Sequence, residues 1–213
     1  MPPLWLVQTG NRALLSLTTV PDPKGSISVA LITVATTAVA GFVAVASGFV
    51  DPVADFDPPW RRDENHQDSR RPFLHWSIKP MSAFLFPSLA EEILWRGILI
   101  APHPSTTTSI FSSQLLMRST LVLGAHVSLH PIAGYTCWPR GRDVFCDWRF
   151  LVPATVVLGG ATLSYLVSGG SVYAAALTHG LAVALWRDFF GGEALLMKSQ
   201  SSSESDEEKE KSR

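Results

Sequence analysis

The sequence predicts an all-α fold, a polytopic membrane helical bundle of about five transmembrane spans. Three observations carry that reading. Ser26 to Val50 contains no charged residue, a run long enough to cross a hydrocarbon core of about 30 Å. Trp148–Val167 and Gly170–Phe190 each come close to the roughly 20 residues a span requires, with their arginines toward one end. The mean hydropathy of +0.20 hides a segregation. Polar residues collect at 51–71, 137–149 and 198–213, and the stretches between them are strongly apolar. The chain's 213 residues suffice for one domain. A net charge of −1 implies no broad electrostatic partner such as nucleic acid.

Residues 1–25 read as an irregular arm punctuated by Pro21 and Pro23, and 26–193 as the membrane domain. The first 20 residues lack the basic start of a secretory signal, and Gln8, Asn11 and Arg12 interrupt their apolar character. Span one covers 26–50. A charged loop at 51–71 carries Arg61, Arg62, Arg70 and Arg71. Span two covers 73–100, bent near Pro80 or Pro87, because proline removes an intrahelical hydrogen bond. Span three runs from Leu115 to Leu129, with Pro131 after it. The loop 132–147 holds Arg140 and Arg142 together with Cys137 and Cys146. Two cysteines set no disulfide framework and no metal pattern, and unpaired loop thiols are the simpler reading. Spans four and five follow, broken by Ser168-Gly169-Gly170-Ser171. The tail at 194–213 is acidic and serine-rich, a composition that does not build a core. Five spans put both arginine-rich loops and the tail on one side, the cytoplasmic or stromal side by the positive-inside rule.

Ionisable residues inside apolar segments are costly and mark functional sites. Glu91, Glu92 and Arg96 lie within the apolar run Phe84 to Ile100. Arg96 falls one turn after Glu92, an i,i+4 pair with the acid N-terminal to the base. Glu91 points roughly 100° away. Three histidines also occupy apolar segments. His126 and His130 form an i,i+4 pair, and His179 sits in Ala174-Ala175-Ala176-Leu177-Thr178-His179-Gly180. Depth relates them. At about 1.5 Å per residue, Glu91 lies ~15 Å from the break at Ala101 and His179 lies ~14 Å past Gly170. His126 reaches ~16 Å if span three begins near Leu115 and Ser105–Gln114 is an interfacial connector. His126 is then favoured on depth, and His130 sits nearer the opposite end.

A carboxylate and an imidazole sharing a water can activate it as general base, or hold a metal that lowers its pKa. Glu91, His126, His130 and His179 form a set that can hold Zn2+ or simply the water. A further histidine can stabilise an oxyanion. Together these groups describe peptide hydrolysis in a membrane cavity.

These residues resemble the family of CAAX prenyl protease 2 and bacteriocin-processing enzymes (CPBP), intramembrane glutamate or metal-dependent proteases. The first family motif, Glu-Glu-x-x-x-Arg, matches Glu91, Glu92 and Arg96, and a frequent following glycine matches Gly97. The second, Phe-x-x-x-His, matches Val122 to His126 with the phenylalanine replaced, or His126 to His130. The run His130-Pro131-Ile132-Ala133 followed by Trp138-Pro139-Arg140-Gly141 looks like a subgroup whose second-motif histidine precedes proline. The third, His-x-x-x-Asn, matches His179, with Val183 where asparagine is usual. The resemblance covers 80–193. It implies that Glu91 with His126 or His130 activates water, that Glu92 and Arg96 support them, and that His179 stabilises the oxyanion. The implied substrate is a membrane-associated peptide or prenylated protein.

Two other readings follow from the same residues. Val122 and Val183 depart from the motifs, which suits a non-catalytic membrane scaffold or immunity-type protein with a degenerate site. A proton-coupled transporter would use the buried acids, but the sequence has no repeat halves with paired broken helices.

Overall fold

A computed structural model describes residues 3–56, 84–100, 112–192 and 195–196. Among the described residues all regular elements are helices. Helix α1 spans Leu4–Thr18, where the sequence suggested an irregular arm. Polar residues break its apolar pattern, so periodicity alone does not reveal it. Packing supplies the stability that local propensity lacks: Ser16 is fully buried and Leu17 packs against the central core.

Helix α2, Pro23–Ala46, begins where Asp22 accepts a 2.6 Å bond from the Gly25 amide and proline occupies the first turn. Its buried residues are Val29, Thr33, Thr36, Ala40 and Ala44. Their spacing of three and four makes one narrow stripe of mostly small side chains. Ile27, Leu31, Val34 and Phe42 are exposed on its other faces.

Helix α3 is irregular. The chain is kinked within Phe84–Leu89, makes one α-helical turn at Ala90–Glu92, and runs as wide turns over Ile93–Ile98. The chain is extended at Phe86, immediately before Pro87. The bend expected at Pro80 or Pro87 is therefore at Pro87, and Pro80 lies outside the described residues.

Helix α4, Ser113–Thr136, is capped by Ser112, which accepts from the Leu115 amide. The expected connector at Ser105–Gln114 lies outside the described residues before Ser112. The helix does not stop at Pro131 as expected but carries it inside. Proline at 131 cannot donate to the Val127 carbonyl. His130 Nδ1 stands 3.3 Å from that oxygen and 3.3 Å from the His126 carbonyl, so the imidazole compensates for the missing amide.

A 3-10 turn at Pro139–Gly141 and the short helix α5, Arg142–Phe145, lead into α6, Trp148–Val167. Asp147 caps α6 by accepting from the Arg149 amide, and the Arg149 guanidinium beside it holds the Asp147 carboxyl below the usual carboxylate range. Cys137 and Cys146 are unpaired. Gly169 and Gly170 turn the chain with φ of 75° and 102°, a left-handed region that glycine alone enters freely. Helix α7, Val172–Phe189, then packs back on α6. The tail lies outside the described residues apart from Leu195 and Leu196.

The core gathers Ile100, Val122, Ala161, Tyr165, Leu166, Val172 and Ala175 from α4, α6, α7 and the end of α3. A second, aromatic group joins Phe49, Phe145, Phe150, Trp186 and His130 through ring centroids 5.6–5.9 Å apart. Among the described residues two helices, α2 and α6, are long and apolar enough to cross a membrane. The expected five spans are thus met in part. Helix α3 is described only from Phe84, and α7 carries Arg187 and Asp188 in its last turn.

Helices α2 and α6 meet where Gly160 faces Thr36. A Cβ at 160 would collide with both branches of the Thr36 side chain and stand 2.8 Å from its Cβ. A β-branched side chain cannot swing clear. Gly160→Ala is expected to cost about 1–3 kcal/mol by overpacking. Gly124→Ala, where a Cβ meets nothing within 4 Å, should be neutral or stabilising by up to about 1 kcal/mol. Denaturant unfolding in detergent, read by circular dichroism, checks the pair.

Candidate active site

The site is built on α3, where two adjacent carboxylates diverge. Glu92 is fully buried, whereas the Glu91 side chain is 34% exposed. The wide turns change which residues share a face, and such bulges recur at functional sites. Small neighbours let other helices approach: a Cβ at Gly97 would stand 3.2 Å from Val172 of α7 and closer still to Ser16 of α1.

Arg96 is the centre of the arrangement and is fully buried. Its Nη1 lies 2.9 Å from both oxygens of Glu92. The same nitrogen lies 2.8 Å from Nδ1 of His126 on α4. Nη2 donates to the Leu158 carbonyl at 2.7 Å and to Thr162 Oγ1 at 3.1 Å, both on α6, and Nε reaches the same hydroxyl at 3.3 Å. Planar guanidinium geometry suits this fan of acceptors, and a point-like ammonium does not.

The two histidines close the set. His126 is buried, and its Nε2 lies 3.0 Å from Oε2 of Glu91. Its ring stacks on Trp95 at 4.7 Å with 14° between planes. His179, on α7, brings Nδ1 to 2.9 Å from Oε1 of Glu92. The rings of His126 and His179 meet edge to face with centroids 6.1 Å apart.

Of the six residues singled out in the sequence, Glu91, Glu92, Arg96, His126 and His179 form one hydrogen-bonded cluster. His130 stays outside it. Its ring lies 5.8 Å from that of His126, and its Nδ1 faces its own helix. One helical turn separates the two histidines, which is why motif spacing leaves both open while geometry distinguishes them. Val183, one turn past His179, offers no hydrogen-bond donor.

Sequence reasoning missed Thr162, the Leu158 carbonyl and Trp95. Thr162 shows in the sequence only as one hydroxyl in an apolar run, four residues after Leu158, and a backbone carbonyl leaves no signal at all. It also missed a buried hydroxyl network in which Thr178 Oγ1 bonds Thr33 Oγ1 at 2.7 Å and Ser164 Oγ at 2.8 Å. That network joins α2, α6 and α7 in the turn next to His179.

Zinc requires several protein ligands converging on one point with free lone pairs. Among the described residues no three His, Cys, Asp or Glu side chains form such a group. The guanidinium of Arg96 holds one nitrogen of His126, and Glu91 faces the other. His179 directs Nδ1 to Glu92, and His130 directs Nδ1 to its own helix. The arrangement does not fit the Zn2+ set of Glu91, His126, His130 and His179 considered from the sequence, and no step is derived through a metal.

Compared with known proteins, the chain matches no family model, no curated protein and no solved structure.

Thr162→Val leaves two Arg96 N–H groups buried without their acceptor, at an expected cost of about 1–3 kcal/mol. Thr162→Ser keeps the oxygen and should lose less than half of that. Unfolding of both variants against wild type in the same detergent provides the comparison, and equal loss in the two would remove the hydroxyl's role.

Proposed function

We propose that this chain is a multi-pass intramembrane endopeptidase of the CAAX prenyl protease 2-like type, hydrolysing a peptide bond in a membrane-associated, and in one class prenylated, protein. The observation that carries the reading is the pairing of a half-open carboxylate, Glu91, with an imidazole at 3.0 Å, beside a second carboxylate neutralised by a buried arginine. General-base activation of water needs an ionised, reachable carboxylate held in a fixed direction. Glu91 meets those needs, and Glu92 does not, because it is fully buried and its Oε1 is held by Arg96 and His179.

In this reading Glu91 takes a proton from water as the oxygen adds to the scissile carbonyl. Glu92 and Arg96 hold the helices that frame the site, and His179 lies beside the developing oxyanion. The resemblance of Glu91, Glu92, Arg96, His126 and His179 to the CPBP motifs supports the same assignment, as do two helices long enough to cross a bilayer. No metal step is included. Val183 favours a second reading, a membrane scaffold or immunity-type protein that keeps the helices without the chemistry, because an oxyanion donor missing elsewhere costs about 10²–10³ in rate.

Purified protein reconstituted in lipid, offered a farnesylated CAAX peptide and a broader membrane-peptide library, tests the reading. Wild type should cleave, and Glu91→Gln should lose at least about 10²-fold in kcat with unchanged helicity and unfolding. Absence of cleavage by well-folded wild type, or full activity in Glu91→Gln, would favour the scaffold.

A further inference from the structure

We infer that Arg96 fixes His126 as the Nε2–H tautomer, so that His126 orients Glu91 as a hydrogen-bond donor and is not itself a base. The tautomer follows from the contacts alone; the role in hydrolysis rests on the function proposed above.

A guanidinium has donors and no acceptor. Its Nη1 lies 2.8 Å from Nδ1 of His126, so Nδ1 must present its lone pair. A proton on Nδ1 would set two N–H donors against each other at that distance, which excludes the other neutral tautomer and the imidazolium alike. The remaining ring proton sits on Nε2, 3.0 Å from Oε2 of Glu91, where a carboxylate accepts it. Turning the ring over would place carbon against both partners, and stacking on Trp95 holds its plane. The Nη1 that fixes His126 also lies against both oxygens of Glu92, and the Leu158 carbonyl and Thr162 hydroxyl hold the other end of the guanidinium.

His126 then has no lone pair with which to take the water's proton. Glu91, held at Oε2 by His126, receives that proton on Oε1 while the hydroxide oxygen bonds to the carbonyl carbon. The proton passes from Glu91 to the leaving nitrogen as the C–N bond breaks, giving a carboxylic acid and an amine. Arg96 and His126 are positioning residues in this scheme. The resemblance instead implies that His126 or His130 shares the base role with Glu91.

The test has two arms. Nitrogen-15 spectra of the full chain in lipid nanodiscs, labelled at histidine, read the tautomer directly. The His126 signals are those lost in His126→Gln. A bare Nδ1 and a protonated Nε2 are expected, and a protonated Nδ1 overturns the inference. In the cleavage assay, His126→Gln retains an amide N–H for Glu91, whereas His126→Ala does not. His126→Ala should lower kcat roughly 10²-fold with KM little changed, and His126→Gln should return to within about tenfold of wild type. Equal loss in both variants means that His126 handles the proton, and overturns its role as a donor. Failure of wild type to cleave any peptide sinks the hydrolase reading, yet the spectra still decide the tautomer.

Discussion

A guanidinium with no exposed surface has to be satisfied entirely by the protein, and the position of Arg96 imposes that demand on everything around it. Arginine stays charged in proteins, so burial cannot be relieved by losing a proton. Removing such an ion from water costs several kcal/mol, offset only by a paired charge and further acceptors in good geometry. The chain supplies Glu92 from the same helix, His126 from α4, and Thr162 and the Leu158 carbonyl from α6. Glu92 passes the link to α7 through His179. One buried cation thereby ties four helices to a single point, and Glu91, the residue beside its partner acid, is left half-open.

Such a point can form only if the helices come close, and small residues permit that. Gly160 lets α2 lie against α6, Gly97 lets α1 and α7 lie against α3, and Gly180 admits Phe84 to the surface of α7. Hydroxyls then take the place of charges where α2, α6 and α7 converge, at Thr33, Ser164 and Thr178. For the proposed intramembrane protein these are the terms that would act in lipid, where apolar side chains gain little by leaving hydrocarbon for protein. His130 joins the two ends of the arrangement. It covers the carbonyl that Pro131 leaves without an amide, and its ring lies between that of His126 and the aromatic group of Phe145 and Phe150.

Much of this was legible in the sequence for definable reasons. A charged triplet in an apolar run advertises itself through cost, so Glu91, Glu92 and Arg96 stood out, and helical spacing paired Arg96 with the correct acid. Spans four and five were separated by the Ser168-Gly169-Gly170-Ser171 break, and α6 and α7 fall within two residues of the expected limits. The acceptors of Arg96 on α6 were not legible, because a carbonyl has no side-chain signature and a lone threonine in a greasy helix has many explanations. Helix α1 was missed because its stability is tertiary. The continuation of α4 past Pro131 was missed because the compensating group is a neighbouring side chain, which a proline rule does not consider. Depth favoured His126 over His130, but the side-chain hydrogen bonds were needed to separate them.

Two adjacent carboxylates of one helix form an asymmetry: Glu92 is fully buried beside Arg96 and His179, and the Glu91 side chain is partly exposed. Reaction of the reconstituted protein with a hydrophobic carbodiimide, followed by peptide mass spectrometry, measures that asymmetry site by site. The account predicts modification of Glu91 that a bound membrane peptide suppresses, with Glu92 spared throughout. Modification of Glu92 as fast as Glu91, or labelling of Glu91 indifferent to every peptide, would contradict it.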